Sequence, residues 1–234
     1  MESFHPHRSS RQLSTGSEAA RGFTLVELMV VLAIIVVITT VVLTSQSTFN
    51  KTLVLANTAY DVALTLRAAE TYGLGSRAVG SIANAGYGIE FQKSIPGSFT
   101  LFADSYPAAA SPSSCHPTSD TSAPDAQPGN CIYDSVQGEK ISDYILGNNI
   151  TVSDFCAFAI GSWTCAVAQG GGLTLLDIVF TRPNADPFMS VNGVYSQLFP
   201  VSRMCLTISS PLGGSRFVSV ASSGQIIANA LSCP

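Results

Sequence analysis

The chain has 234 residues, and only 11% of them are charged, against roughly a quarter in a typical soluble domain. Lys and Arg number 11 against 15 Asp and Glu, without a basic cluster, and no charge of either sign follows Arg216. Binding to a nucleic-acid backbone needs clustered Lys and Arg, so nucleic acid is not an expected partner.

The charges are unevenly placed. Residues 1–22 carry Arg8, Arg11 and Arg21 against Glu2 and Glu18, a net of +1. The remaining 8 basic and 13 acidic side chains give a net of −5. Residues 23–43 then form an apolar run interrupted by one carboxylate, Glu27, and the next charge is Lys51. As a helix the run reaches about 32 Å at 1.5 Å per residue, against a hydrocarbon core of about 30 Å. It is predicted to span a membrane. The preceding arginines place residues 1–22 in the cytoplasm and the bulk of the chain outside. The run exceeds the 7–15 residues of a secretory signal and no A-x-A-like cleavage site follows it.

A plain single-span anchor does not explain Glu27. A carboxylate in an apolar helix costs up to roughly 2.5–3.5 kcal/mol at the bilayer centre, and less near an end. Gly22-Phe23-Thr24-Leu25-Val26-Glu27, with Arg21 before the glycine and an apolar helix after it, resembles the prepilin motif of type IV pilins and type II secretion pseudopilins. The resemblance implies that a membrane prepilin peptidase cuts between Gly22 and Phe23 and methylates the new amine of Phe23. Glu27 would then lie in the first turns of the helix, where the macrodipole favours an acid. Its implied partner is the amine of Phe23, on its own chain or on a neighbouring subunit, which would couple assembly to relief of a buried charge. The chain departs from many major pilins in its 22-residue leader. It also lacks their helix-kinking proline: Thr44 stands at the corresponding position, and residues 23–95 contain no proline.

Beyond the membrane run, Leu55, Ala59, Val62, Leu66 and Ala69 recur at spacings of four and three, with Asp61, Arg67 and Glu70 off the stripe. An amphipathic helix is predicted over 44–75, closed by the glycines of "TYGLGSRAVG". From residue 76 to 234 the chain reads as a β-rich head. Expected strands are 87–93 and 98–104, a hairpin about Pro96-Gly97, then 149–160, 163–169, 173–181, 203–210, 216–221 and 224–229. The last two form a closing hairpin at Ser223-Gly224. Residues 105–130, with five prolines, are predicted to be a long irregular loop, a surface filler or a contact loop on a filament. The fold class is therefore α+β: a long N-terminal helix, half in the membrane and half packed on an antiparallel β head. The order of a "GIEF" strand, "DIVFTRPNADPF" and an "SGQI" hairpin resembles the head of H-type pseudopilins and related minor pilins.

All six cysteines follow the apolar run, and none forms a C-x-x-C pair. On the outer side of a membrane they read as disulfides. Fifteen connectivities are open; short loops favour Cys115–Cys131, Cys156–Cys165 and Cys205–Cys233. Metal binding would want closer spacing and more histidine, and calcium a D-x-D run, so no metal or cofactor is expected. Catalysis is not expected either. The one histidine beyond the membrane run, His116, adjoins Cys115, no nucleophile elbow or phosphate loop is present, and Asp154, Asp177 and Glu139 read as solvated or hydrogen-bonded acids at strand edges.

The reading is of a structural subunit of a type IV pilus or type II secretion filament. Its implied partners are prepilin peptidase, other pilins or pseudopilins, an inner-membrane assembly platform and membrane lipid. It would begin in the cytoplasmic membrane with the head outside, then pass into an extracytoplasmic filament. One rival is a single-span, membrane-anchored binding domain that does not polymerise. The other is a minor pilin that captures DNA, against which the uncharged C-terminus argues.

Overall fold

The structure is a computed structural model. It describes residues 22–107 apart from 76, 81 and 83, and residues 128–233 apart from 184; of residues 44–50 it describes the backbone alone. The chain falls into two compact units, Met1–Ser47 and Thr48–Pro234, and one helix, α1 (Leu25–Leu74), contributes to both.

In the first unit, α1 starts where it does because Thr24 can cap it. The Leu28 amide makes the first helical bond to the Thr24 carbonyl at 3.2 Å, and the Glu27 amide donates to Thr24 Oγ1 at 3.2 Å, so the Thr24 hydroxyl satisfies one of the amides that a bare helix start leaves open. From Leu25 to Leu43 no residue is buried. The hydroxyls of Thr39 and Thr40 turn back on the helix, donating to the carbonyls of Ile35 and Val36 at 2.8–3.0 Å. Polar groups that would be costly in hydrocarbon are thus satisfied within the helix itself.

In the second unit, Leu55, Ala59, Val62, Leu66 and Ala69 are all buried, as their spacing predicts. They pack in one apolar core with two five-stranded antiparallel sheets. The first sheet has the order β3–β2–β1–β6–β7, from β1 (Gly86–Gln92), β2 (Ser98–Asp104), β3 (Lys140–Ile145), β6 (Leu175–Phe180) and β7 (Phe188–Val191). The second runs β10–β9–β8–β4–β5, from β4 (Thr151–Ala159), β5 (Ser162–Cys165), β8 (Arg203–Ser209), β9 (Ser215–Ala221) and β10 (Ile226–Ala230). Period-2 alternation aims Tyr87, Ile89 and Phe91 of β1, and Met204, Leu206 and Ile208 of β8, into that core. Gly73 lets the last turn of α1 meet β6: a Cβ there would stand 2.1 Å from the carbonyl oxygen of Phe180. The Arg67 guanidinium reaches across to the Ile226 carbonyl of β10 at 3.2 Å.

Two strands, β3 and β7, lie outside the predicted set. β3 is an edge strand whose Ile141, Tyr144 and Ile145 are exposed, so it lacks alternation, and β7 has four residues. The hairpins at Pro96-Gly97 and Ser223-Gly224 form as expected. Two of the three expected disulfides are present. Cys156–Cys165 joins directly opposed residues of β4 and β5, and Cys205–Cys233 ties the C-terminal segment to β8. The third expected bridge involves Cys115, which lies outside the described residues with His116, the leader and most of the proline-rich stretch.

Candidate functional site

The residues singled out from the sequence gather at the start of α1. Gly22, Phe23 and Thr24 precede its first turn, exposed, and Glu27 is the acid of that turn. Thr24-Leu25-Val26-Glu27 has the T-x-x-E spacing of a capping box, a signal the sequence reading passed over; its Thr-to-amide half is formed. The Glu27 carboxylate makes no ion pair or hydrogen bond among the described residues. Glu27 thus stands without a partner among the described residues, five residues after Gly22, on the Leu25–Leu43 part of α1, where no residue is buried. Residues 19–43 match the family model described as the prokaryotic N-terminal methylation motif.

The chain carries the prepilin methylation motif.

The motif supports the type IV pilin and pseudopilin family, and it implies processing by prepilin peptidase and pilin assembly in general. With the uncovered apolar helix behind it, the motif marks a membrane-anchored protein. No curated protein and no solved structure matches the chain.

The head holds a second constellation that sequence reasoning missed. On the face of the first sheet turned away from the core, strand register lines up Asp143, Thr100, Glu90, Asp177 and Ser190, one from each strand. Glu90, Asp177 and Ser190 are buried on this face, while Asp143 at its edge stays exposed; the segment 128–139 is held beside them by carboxylates that accept backbone N–H groups. Asp104 accepts from Asn130 and Cys131 at 2.9 and 2.7 Å, and Glu139 from Ser105, Tyr106 and Asp134 at 2.7–2.8 Å. Asp177 accepts from the Tyr133 amide, and its Oδ1 has no partner. The Gly129 amide meets the Pro107 carbonyl at 3.0 Å, so the chain enters and leaves the proline-rich stretch at one point. Gly129 has a φ of +107°, and a Cβ on it would fall 2.4 Å from the Asp104 carboxyl carbon.

Burial raises the pKa of Glu90, Asp104, Glu139 and Asp177, and Asp104 and Asp177 stand well above the ordinary carboxylate range. Neighbouring charge adds to the rise, Glu139 on Asp104 and Glu90 on Asp177, while the backbone donors oppose it. The expectation of solvated or hydrogen-bonded acids at strand edges is corrected for Asp177, which lies on β6 inside the sheet; Glu139, 1% exposed and next to the edge strand β3, is hydrogen-bonded as expected. Asp154 is held as expected, accepting from Phe155, Val167 and Ala168 at 2.9 Å. Among the described residues, one set of possible metal donors comes together, Asp154, Cys156 and Cys165. Its two sulfurs are bonded to each other, which removes them as ligands.

Proposed function

We propose that this protein is a pilin or pseudopilin that polymerises through Phe23–Leu43, with the disulfide-stapled head on the outside of the filament. The observation that carries this reading is Glu27: one carboxylate without a partner in the first turn of an uncovered apolar helix, inside a matched prepilin methylation motif. Cleavage after Gly22 frees an amine at Phe23, the cation such an acid lacks within the described chain. Stacked helices offer that cation in register, so assembly relieves the cost of carrying the acid into lipid.

The head is proposed to be a structural and contact element without catalysis. Among the described residues, Asp104, Glu139 and Asp177 use their carboxylates to accept backbone amides, which supports a structural role for them. The assembly platform and companion pilins follow from the same reading. We group the head with H-type pseudopilins and related minor pilins on the order of its "GIEF", "DIVFTRPNADPF" and "SGQI" segments.

The test is mass spectrometry of the protein recovered from its own membranes. A chain beginning at N-methylated Phe23 is expected. A chain beginning at Met1, or cut beyond Leu43, would leave an ordinary anchor or a secreted domain.

A further inference from the structure

The head carries two exposed apolar features at opposite edges of its first sheet. At the β3 edge, a groove of about 390 Å³ opens between β3 and α1, with Leu64, Val62, Phe99, Tyr144 and Ile145 in its walls and Asp61 beside them. Leu64 is 62% exposed and Ile145 83%. At the other edge, the chain turns at Asn192-Gly193 and returns along β7, with Val194 pairing with Val191 and Tyr195 packing on Phe188. It then presents Leu198, 85% exposed, and Phe199, 56% exposed. This knob is shaped: the Phe199 amide donates to Ser196 Oγ at 3.1 Å. Four strand-to-strand steps separate the two edges, roughly 19 Å at about 4.8 Å per step.

We propose that the Leu198–Phe199 knob of one copy seats in the α1–β3 groove of the next. The occupant is a second copy of this chain because the charges beside the two features are complementary. Asp61 flanks the groove, the exposed Arg203 follows four residues after Phe199, and neither side chain forms an ion pair among the described residues. A contact between two different patches on opposite edges is heterologous, and when its rotation does not close it propagates as a helical filament. This inference rests on the filament reading and adds to it a head-to-head contact with its own register.

The test uses the full chain in its own membranes, with single cysteines introduced by Leu64→Cys and Leu198→Cys. Under mild oxidation the doubly substituted chain should give a reducible ladder, the two single variants together a dimer, and each alone none. Val136→Cys, at a 91% exposed site that lines neither the groove nor the Leu198–Phe199 knob, should not link to Leu64→Cys. Asp61→Arg should cut the ladder several-fold, and adding Arg203→Glu should restore it. Self-dimers of one single variant, equal linking of Val136→Cys, or adducts with another protein in place of the ladder would overturn the proposal. Formaldehyde cross-linking of the unsubstituted chain separates the two readings. Multimers with formaldehyde but no cysteine ladder would overturn the knob and groove and leave the filament standing. An uncleaved chain without multimers by either route would overturn both.

Discussion

Glu90 of β1 and Asp177 of β6 are directly opposed in adjacent strands, both buried, with Thr100 and Ser190 on their flanks. Like charges directly opposed in a sheet are destabilising, and desolvation adds to the cost of ionising both. Asp143, Asp104 and Asp134 add negative potential, and the Tyr133 and Gln92 hydrogen bonds oppose it. The folded head therefore keeps protons that the unfolded chain releases near the ordinary carboxylate values. Stability conferred by that protonation is present at acid pH and lost as pH rises through the raised values. Melting of the soluble head, residues 48–234, should show a Tm that falls from mildly acid to neutral pH. Asp177→Asn should flatten the slope and raise the neutral Tm. On the order of 1–3 kcal/mol is at stake for a buried group left unsatisfied, and each kcal/mol is worth about 2–4 °C in a head of this size. A Tm that climbs over the same pH range would contradict the account.

Gly73→Ala sets two effects against each other. Alanine is favoured over glycine in a helix by about 1 kcal/mol. The added Cβ would meet the Phe180 carbonyl at 2.1 Å, a backbone atom that cannot swing aside. Overpacking of this kind costs about 1–3 kcal/mol, so the clash should win. Urea unfolding should show a lower midpoint at an unchanged slope.

Thr24→Ala removes the cap of α1. Loss of such a cap costs about 0.5–2 kcal/mol, and Thr24→Ser should retain most of it. In detergent, hydrogen exchange at the Glu27 amide should quicken in Thr24→Ala by a factor on the order of 10 while exchange in mid-helix stays unchanged. Equal protection in both variants would show that the helix start does not depend on the Thr24 hydroxyl.

Glu27→Ala should leave the head folded and the chain in the membrane but sharply reduce its recovery in sheared filaments. Incorporation at the level of the unsubstituted protein would remove the register role of the carboxylate.

The two described disulfides should differ in worth. Cys205–Cys233 closes 28 residues and Cys156–Cys165 closes 9. In the chain-entropy account that is about 3.6 against about 2.6 kcal/mol. The shorter bridge also joins residues the β4–β5 ladder already holds opposite each other. Cys233→Ser should therefore lower the Tm of the head more than Cys165→Ser does.

What could be read in advance divides along physical lines. Periodic burial was legible: the stripe from Leu55 to Ala69 and the alternating strands state their own faces in sequence. β3 was not, because an edge strand with Ile141, Tyr144 and Ile145 turned to solvent carries no burial pattern. The acidic row was not, because Glu90, Asp143 and Asp177 are far apart in sequence and only strand register aligns them. Asp177 read as a strand-edge acid since nothing local reveals that 128–139 will cover it. At the membrane end, Gly22, Phe23 and Glu27 were legible as a short motif. The capping role of Thr24 was equally present in its spacing to Glu27, hidden behind the motif it belongs to.

The neck formed by Pro107 and Gly129 bears on how this surface can vary. Because the two ends meet at one point and Asp104 and Glu139 accept amides on either side of it, the length of the segment between them can change without moving the strands that flank it. Lengthening a tethered excursion is cheap, about 0.6 kcal/mol for each doubling. A population of such proteins could therefore diversify the display at this point by insertion, deletion and substitution while the sheets beneath stay the same. The same neck would accept a foreign peptide as a tag or an epitope.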